Sequence, residues 1–259
     1  MVELFNIVNK IVLAVEYDGR NYYGFQWQAK LPTIQSELEA AIKKVTGESI
    51  RVMAASRTDT GVHATGQVVS FRTKSRLTPG VFVRALNYYL PRDIAVKGAC
   101  KVSVDFNVRR DAVSREYEYY ILNSESRSPM LEGFAYFVPI NLNMTIMNKA
   151  CKYLEGERDF ASFAAAMGKL KSTVRTVYEA KVTRKCDLVT YSMTANSFLP
   201  HQVRNTIGLL IRVGSGKVGV DEFRKIVEAK VTGLAGPTAP PYGLCLIKVN
   251  YPNSLELAI

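Results

Sequence analysis

Hydrophobic and polar positions follow two different periods along the chain. Short apolar runs and segments with an apolar residue at every second position predict strands, whereas apolar residues three and four apart predict helices. The helix ends are also marked, because Thr33 and Gly47 flank the first helix and Pro79 opens the second. In the first half these patterns predict a strand at residues 11–17, a helix at 34–45, strands at 49–55 and 67–71, a helix at 79–89 with Phe82, Ala85, Leu86 and Tyr89 turned inward, and a strand at 94–104.

The second half repeats this order of elements. Its patterns predict a strand at 115–122, a long connection at 129–139 with a short strand, a helix from Asn143 to residue 154, an antiparallel pair at 174–183 and 188–194, helices at 200–213 and 221–230, and a strand at 244–249. The predicted class is α+β, with two tandem ferredoxin-like β-α-β-β-α-β halves at residues 1–108 and 109–259. We expect the halves to share a mostly antiparallel central sheet, with helices on one face and a cleft on the other.

The chain is strongly basic. It has 259 residues, a formal net charge of +11 and a sequence pI of about 9.5. This excess favours a polyanionic partner, most simply nucleic acid. Fourteen Tyr and eleven Phe residues are interspersed with the basic residues. Such rings stack on unpaired bases where they are not part of the core, so the composition favours RNA among the polyanions.

The sequence gives no sign of a metal, a disulfide framework or a membrane segment. Its four Cys residues lie far apart without a C-x-x-C pair, and its two His residues, His63 and His201, have no metal-binding spacing. We therefore expect no metal, and a reducing, cytoplasmic setting. The N-terminal residues lack the pattern of a signal peptide, and no apolar stretch is long enough to span a membrane.

One connection between two predicted strands carries unusual chemistry. It runs from Ser56 to about Thr65, longer than a plain hairpin needs, and it contains Arg57, Asp59 and His63. A guanidinium beside a carboxylate lowers its pKa by roughly 1–3 units, which would keep Asp59 ionised as a nucleophile or base. The alternative interpretation is structural, with Asp59 in an Asx-type turn and Arg57 paired with a surface carboxylate.

Three further stretches carry polar or aromatic residues that a core does not require. Residues 17–28 are rich in rings that either grip RNA or pack beneath the loop. Residues 115–117 place Tyr117 on a strand, with Tyr119 on the same face. On the predicted helix that starts at Pro200, His201 and Arg204 lie three apart and share a face, which would turn Arg204 toward the cleft.

These residues carry a resemblance to a known family. Arg57-Thr58-Asp59-Thr60-Gly61-Val62-His63, followed by Gly66-Gln67-Val68-Val69, resembles the signature of the TruA family of tRNA pseudouridine synthases. Further matches extend along almost the whole chain. They are Glu16-Tyr17-Asp18-Gly19 with Tyr22-Tyr23-Gly24, residues 154–163, Asn196-Ser197-Phe198 with Val203-Arg204-Asn205, and Gly243-Leu244.

The resemblance implies a cofactor-free isomerase that acts on uridine in the anticodon stem-loop of tRNA. It detaches uracil from its ribose, turns it and rejoins it through C5. Asp59 matches the essential Asp of the family, and its route stays open between addition to the base, attack on the ribose and removal of a ribose proton. Arg57 is implicated in displacing the target base, which must leave its stack to be reached.

The resemblance also assigns the remaining site residues. Tyr117 matches the residue that packs on the uracil and assists loss of the C5 proton, and Arg204 matches the basic residue that pairs with the catalytic Asp. His63 and Gln67 lie in the signature and are expected to bind substrate. The family further implies a homodimer in which one tRNA contacts both subunits.

Two departures from the family pattern bear on packing rather than on a reacting group: Gln202 stands where Met is usual, and Thr60 stands where Ala is common.

Three other functions fit the sequence less well. A tRNA-binding protein without catalysis would be expected to lose Asp59 or Arg204. A methyltransferase would need a glycine-rich cofactor loop after a strand, and Gly214-Ser215-Gly216 follows a helix. A zinc deaminase would need metal ligands.

Overall fold

The computed structural model describes residues 8–165 and 172–252, and the predicted class is confirmed as α+β with mostly antiparallel strand pairing. The strands and helices follow in the order β1 (Asn9–Tyr17), α1 (Ile34–Thr46), β2 (Met53–Ala54), β3 (His63–Thr73), α2 (Pro79–Tyr89), β4 (Ile94–Val102), β5 (Ser114–Leu122), β6 (Tyr136–Phe137), α3 (Met144–Cys151), β7 (Gly156–Asp159), β8 (Val174–Lys185), β9 (Leu188–Ala195), α4 (Gln202–Gly214), α5 (Val220–Ala229) and β10 (Leu244–Asn250).

The chain divides into two compact units. The first contains the described residues up to Val113 together with those from Leu246 onward, and the second runs from Ser114 to Cys245. The sequence placed the division after residue 108 and counted the last strand with the second half. In the structure most of β10 groups with the first unit, where it lies next to β3.

The first unit has the predicted element order β-α-β-β-α-β, and its strand order is β4-β1-β3-β10, with β2 pairing β3. Strand β1 pairs antiparallel with both β3 and β4. Helix α1 begins at a capping box, in which Thr33 Oγ1 accepts the Ser36 N–H at 3.1 Å, and it ends at Gly47 with φ of 76°. Phe82 of α2 packs edge-on against Phe71 of β3, with ring centroids 5.6 Å apart. The hydrophobic side of both helices therefore faces the sheet.

Strand β2 is much shorter than its sequence predicts. Residues 49–55 were expected to be a strand, and only Met53 and Ala54 pair with β3. The reason lies in helix α1, because Val52 N–H donates to Glu39 Oε1 at 3.0 Å and Val52 C=O accepts from Gln35 Nε2 at 3.2 Å. The backbone of Val52 is bonded to side chains, so it does not take part in a ladder.

Two further expectations for the first unit need correction. Strand β3 begins at His63 rather than at Gln67, since Ala64 already pairs with Tyr17, so the loop ends before His63. Tyr89 is not turned inward, because it is 42% exposed and the Lys44 Nζ lies 5.5 Å from its ring centroid. Its ring therefore lies against a charged side chain of α1 instead of the core.

In the second unit the strand order is β5-β9-β8-β7, with the short β6 pairing parallel to β5. Asn143 caps α3 as predicted, accepting the Ile146 N–H at 3.1 Å. Strand β7 was not predicted, because its sequence Gly-Glu-Arg-Asp has no apolar alternation. The expected ferredoxin-like description of both halves stays a prediction.

Gly66 should be essential for the packing of β3 against β10. A Cβ at this position would lie 2.0 Å from the carbonyl oxygen of Ile247, a backbone atom that cannot move without disturbing the sheet. We expect Gly66→Ala to lower the free energy of unfolding by at least about 2 kcal/mol in urea titrations. Gly80→Ala is the control, since the nearest atom to its added Cβ is the end of the Arg84 side chain at 3.9 Å. It should raise stability by about 0.5 kcal/mol, and equal effects of the two changes would contradict this packing.

Candidate active site

Asp59 opens a tight turn on the loop that leads into β3. The Val62 N–H donates to the Asp59 carbonyl at 3.1 Å, which closes a four-residue turn over Thr60 and Gly61. Gly61 has φ of 76°, the positive value that the third position of a type II turn requires. Asp59 is half-buried and Thr60 is exposed. The turn therefore holds the Asp59 backbone and leaves its carboxylate partly accessible.

Thr58, directly before Asp59, is buried and anchored through its side chain. Its hydroxyl shares a hydrogen bond of 2.8 Å with the Tyr17 hydroxyl. Gln67, which is fully buried, donates from Nε2 to the Ser56 carbonyl at 2.8 Å and to the Tyr17 hydroxyl at 3.3 Å. Buried polar groups that satisfy each other in this way are costly to disconnect. This network fixes the start of the loop on strands β1 and β3.

The segment after β1 packs directly under the loop. The Phe25 N–H donates to the Thr58 carbonyl at 3.0 Å, and a Cβ at Gly24 would lie 2.8 Å from that same oxygen. Gly24 has φ of 83°, so its position requires both the missing side chain and the left-handed conformation. At Gly19 an added Cβ would lie 2.0 Å from the Val62 carbonyl oxygen. The glycines of this segment allow two backbones to approach closely around Asp59.

His63 is buried at the start of β3 and contacts the turn after β1. Its Nδ1 lies 3.2 Å from both the Gly19 N–H and Asp18 Oδ1. The first contact needs an unprotonated Nδ1 and the second a protonated one. We assign Nδ1 as the acceptor of Gly19, since Asp18 already pairs with Arg20 at 2.6 Å. Partial burial would raise the pKa of Asp18, but the hydrogen bonds from Arg20 outweigh it and hold that pKa below its usual range.

The aromatic stretch divides between the two interpretations that the sequence left open. Tyr22 and Phe25 are buried, and the Tyr22 hydroxyl donates to Asp93 Oδ1 at 2.5 Å. These rings pack beneath the loop. Tyr23 and Trp27 remain 48% and 44% exposed. Only this second pair is available to a ligand.

In the second unit Tyr117 lies on β5 with its ring edge-on to Phe198, at a centroid distance of 5.1 Å. Its neighbour Arg115 is buried and donates from Nη1 to the Asn196 carbonyl at 2.7 Å. Residues 115–117 and 196–198, which the sequence singled out separately, are thus brought together by the pairing of β5 with β9.

Arg204 lies in the first turn of α4. Within this fully described helix it is the only residue before Ile211 that is not buried. His201 does not share its helical face as expected, because the helix begins at Gln202 and His201 precedes it in a left-handed conformation, with φ of 61°. Gln202 is buried and accepts the Leu199 N–H at 2.8 Å, so the departure from Met serves to fix this entry turn.

A loop after α5 is bound along the exposed side of Arg204. The Arg204 Nε donates to the Ala239 carbonyl at 2.8 Å, and the Ala239 N–H donates back to the Arg204 carbonyl at 3.1 Å. The Thr238 hydroxyl donates to Asn205 Oδ1 at 2.6 Å, while Asn205 Nδ2 donates to the Phe163 carbonyl at 2.8 Å. We call residues 236–239 the strap. It restricts the Arg204 side chain to one direction.

The predicted site residues thus fall into two sets, one in each unit. Arg57, Asp59, His63 and Gln67 belong to one loop and the strand that follows it, with Arg57 exposed. Tyr117 and Arg204 belong to the second unit. His63 and Gln67 contact the protein itself in this structure, and their direct contact with substrate stays a prediction.

Sequence reasoning missed several residues that hold these groups. They are Tyr17, Gly24, Thr58, Asn205, Thr238 and Ala239. The first three and Asn205 lie inside the motifs that carried the resemblance, which was a usable signal. Nothing in the local sequence links the strap to Arg204.

Two further findings concern the described ranges, residues 8–165 and 172–252. No group of three or more His, Cys, Asp or Glu residues within them is placed to hold a metal ion. None of the helices in the same ranges is both long and apolar enough to cross a membrane.

Comparison with known proteins places these motifs in one family. A family model described as tRNA pseudouridine synthase matches residues 13–111 and 150–252. The chain is 41% identical to a tRNA pseudouridine synthase A of Caldicellulosiruptor bescii over 244 residues, which cover 94% of this chain and 100% of the relative. It is equally similar, at 41% over the same lengths, to the enzyme of that name from Thermoanaerobacter sp.. The corresponding enzyme of Legionella pneumophila is 42% identical over 248 residues, 96% of this chain and 95% of the relative.

Solved structures match more weakly. A Cbf5-Nop10-Gar1 complex is similar with a TM-score of 0.31 and 12% sequence identity, covering 77% of this chain and 54% of that chain. This similarity is too low to define the arrangement of the site. The sequence matches are far stronger, and they span both units. On the strength of that family match and of relatives aligned along nearly their whole length, the chain belongs to the TruA family of tRNA pseudouridine synthases.

Proposed function

We propose that this protein is an isomerase that converts uridine to pseudouridine in the anticodon stem-loop of tRNA. The observation that carries the proposal is the half-buried Asp59 itself, which opens a closed turn and directly follows Thr58, whose hydroxyl is anchored by a buried hydrogen bond. The reaction breaks the N1–C1′ bond, forms a C5–C1′ bond, removes the C5 proton and adds a proton at N1. No external oxidant, reductant or group donor is needed, so the protein's own side chains can carry the chemistry.

The proposed role of Asp59 follows from its setting. A carboxylate acts as nucleophile or base only when it is ionised and aimed at its target. The anchored Thr58 before Asp59 and the turn that closes from the Asp59 carbonyl to the Val62 N–H restrict the direction of the Asp59 side chain. Arg57 is exposed on the same loop, where a guanidinium can occupy the place of a displaced base. His63 and Gln67 support the site by holding the loop to β1.

We further propose that Tyr117 and Arg204 serve the same reaction. The Tyr117 ring is buried and packs edge-on against Phe198, which limits its orientation, and its hydroxyl is proposed to assist loss of the C5 proton. Arg204 is proposed to supply the positive charge that matches an ionised Asp, and the strap fixes its direction. We also propose that the protein is cytoplasmic and forms a homodimer. Sedimentation of the purified protein at micromolar concentration would test the homodimer.

Asp59→Asn keeps the size and the turn-forming ability of the side chain and removes its charge. We expect this variant to fold and to bind tRNA as well as the parent, while pseudouridine formation falls at least about 1,000-fold. The assay is tritium release from tRNA labelled at uridine C5. Asp105→Asn, at an exposed carboxylate of the same unit, is the control and should retain full activity. Near-normal release from Asp59→Asn would mean that Asp59 is only a turn residue.

Tyr117→Phe should separate ring packing from hydroxyl chemistry. We expect tRNA binding to persist and tritium release to slow about 100-fold, with the rejoined base accumulating before it loses its C5 hydrogen. Tyr120→Phe on the same strand is the matched control, because the Tyr120 hydroxyl donates to Glu118 Oε2 at 2.6 Å, away from the strap. That change should cost about 1 kcal/mol of stability and leave the release rate unchanged. Parental turnover in Tyr117→Phe would exclude a chemical role for its hydroxyl.

Thr238→Val tests whether the strap positions Arg204. The change keeps the volume of an exposed residue and removes the hydroxyl that binds Asn205. We expect kcat to fall about tenfold with the tRNA dissociation constant and the melting temperature nearly unchanged. Thr238→Ser retains the hydroxyl and should restore kcat to within about twofold. Equal kcat in the Val and Ser variants would show that the strap does not act on the reaction.

A further inference from the structure

The surface of the first unit contains a groove apart from the Asp59 turn. Its volume is about 340 Å³, at the lower end of the range that small ligands occupy. It is formed by the aromatic stretch, helix α1 and the residues before β2. The lining residues are Trp27, Ser36, Glu39, Ala40, Lys43, Ser49, Ile50 and Arg51.

Trp27 is exposed in this groove and yet held in place. It is 44% exposed, its backbone N–H donates to Gln35 Oε1 at 2.9 Å, and the Arg51 guanidinium lies 4.8 Å from its ring centroid. Arg51 is in turn fixed by Glu39, with Nη1 to Oε2 at 3.0 Å. Because the Arg51 guanidinium already restrains the indole, less side-chain entropy is lost when a ligand stacks on the ring.

The charges of the groove favour an anionic ligand. Glu39 is its one acidic lining residue, and this carboxylate already accepts from Arg51, Gln35 and the Val52 N–H. Lys43 is exposed, and no ion pair of its side chain is seen within the described ranges. The hydroxyls of Ser36 and Ser49 also line the groove. Proteins bind single-stranded nucleic acid with this combination of groups, because bases stack on the flat ring and phosphates contact the cations and hydroxyls.

The groove is connected to the Asp59 turn through one short segment. Phe25 donates its N–H to the Thr58 carbonyl, next to Asp59, and Trp27 follows two residues later. Trp27 therefore follows directly after the segment whose backbone contacts the Asp59 loop. The Tyr88 ring, although 82% exposed, lies at the end of α2 outside the groove lining.

We propose that this groove binds an unpaired nucleotide of the tRNA substrate, with the base stacked on Trp27 and the adjoining phosphate on Lys43. The proposal rests on the proposed function for its RNA ligand, and it adds a contact that takes no part in the chemistry. Trp27 and Lys43 therefore contribute to affinity, and Asp59 contributes to turnover.

Trp27 is the single Trp of the chain, so its fluorescence reports on this groove alone. Titration with an unmodified tRNA transcript should change its emission and protect it from quenching by acrylamide. In filter binding, Trp27→Ala should raise the tRNA dissociation constant about 5- to 150-fold, the range expected for one lost base stack. Trp27→Phe keeps an aromatic ring and should lose much less affinity.

Lys43→Gln should weaken binding at low salt and reduce the slope of log affinity against log salt by about one, the effect of one lost phosphate contact. Arg51→Lys keeps the charge and removes the planar group over the indole, so it should weaken binding without changing that slope. Tyr88→Ala, an exposed ring of the same unit, is the control and should leave the dissociation constant unchanged.

Three outcomes would overturn the proposal: unchanged Trp27 emission and acrylamide quenching at saturating tRNA, equal losses from Trp27→Ala and Tyr88→Ala, or emission that depends on protein concentration without RNA. The last would make the groove a contact between copies of the chain. Fluorescence and binding need no turnover, so Asp59→Asn protein serves as well. If the proposed function is wrong, tRNA will change the Trp27 emission but no tritium will be released. If this inference is wrong, tritium will be released but the Trp27 emission will not respond to tRNA.

Discussion

The buried hydrogen bond between the hydroxyls of Tyr17 and Thr58 is the constraint on which the first unit's site depends. Tyr17 is the last residue of β1, and Thr58 directly precedes Asp59, so the bond ties the loop to a central strand of this unit. Gln67 of β3 extends this network, since its Nε2 donates to the Tyr17 hydroxyl and to the Ser56 carbonyl. Removing one partner would leave buried donors and acceptors unpaired at a cost of about 1–3 kcal/mol, comparable with a large part of a domain's stability. A loop fixed in this way can hold a half-buried carboxylate in one direction.

The glycines around this bond show why the arrangement tolerates little variation. Gly19 and Gly24 allow the backbone after β1 to lie against residues 58–62 at distances that no side chain permits. The direction of the Asp59 side chain is therefore set by the close packing of two backbone segments and by the hydrogen bonds between them. Loops held by side chains alone would sample more conformations, and a reacting group displaced by about 1 Å loses much of its effect.

The second unit reaches a similar result by other means. Arg204 is a long side chain at a helix start, where it would ordinarily be mobile and solvated. The strap limits it through the Ala239 carbonyl, and Asn205 joins the strap to the core through Phe163. A Cβ at Gly208 would lie 2.1 Å from the Pro237 carbonyl, so the strap also packs directly on α4. Asp59 and Arg204 are thus each restrained by contacts from a segment that lies elsewhere in the sequence.

The sequence by itself determined the order of elements apart from β7, the helix caps at Thr33 and Asn143, and the motifs that carry Asp59, Tyr117 and Arg204. Hydrophobic periodicity and helix caps depend on residues close together in the sequence, so they can be predicted without knowledge of the fold. Tertiary structure decided what depends on distant partners: Gln35 and Glu39 shortened β2, the strap reached Arg204 from 35 residues away, and Phe25 was buried while Trp27 stayed exposed. Neighbouring residues of similar chemistry take opposite roles because burial is set by what packs against them, and no local pattern contains that information.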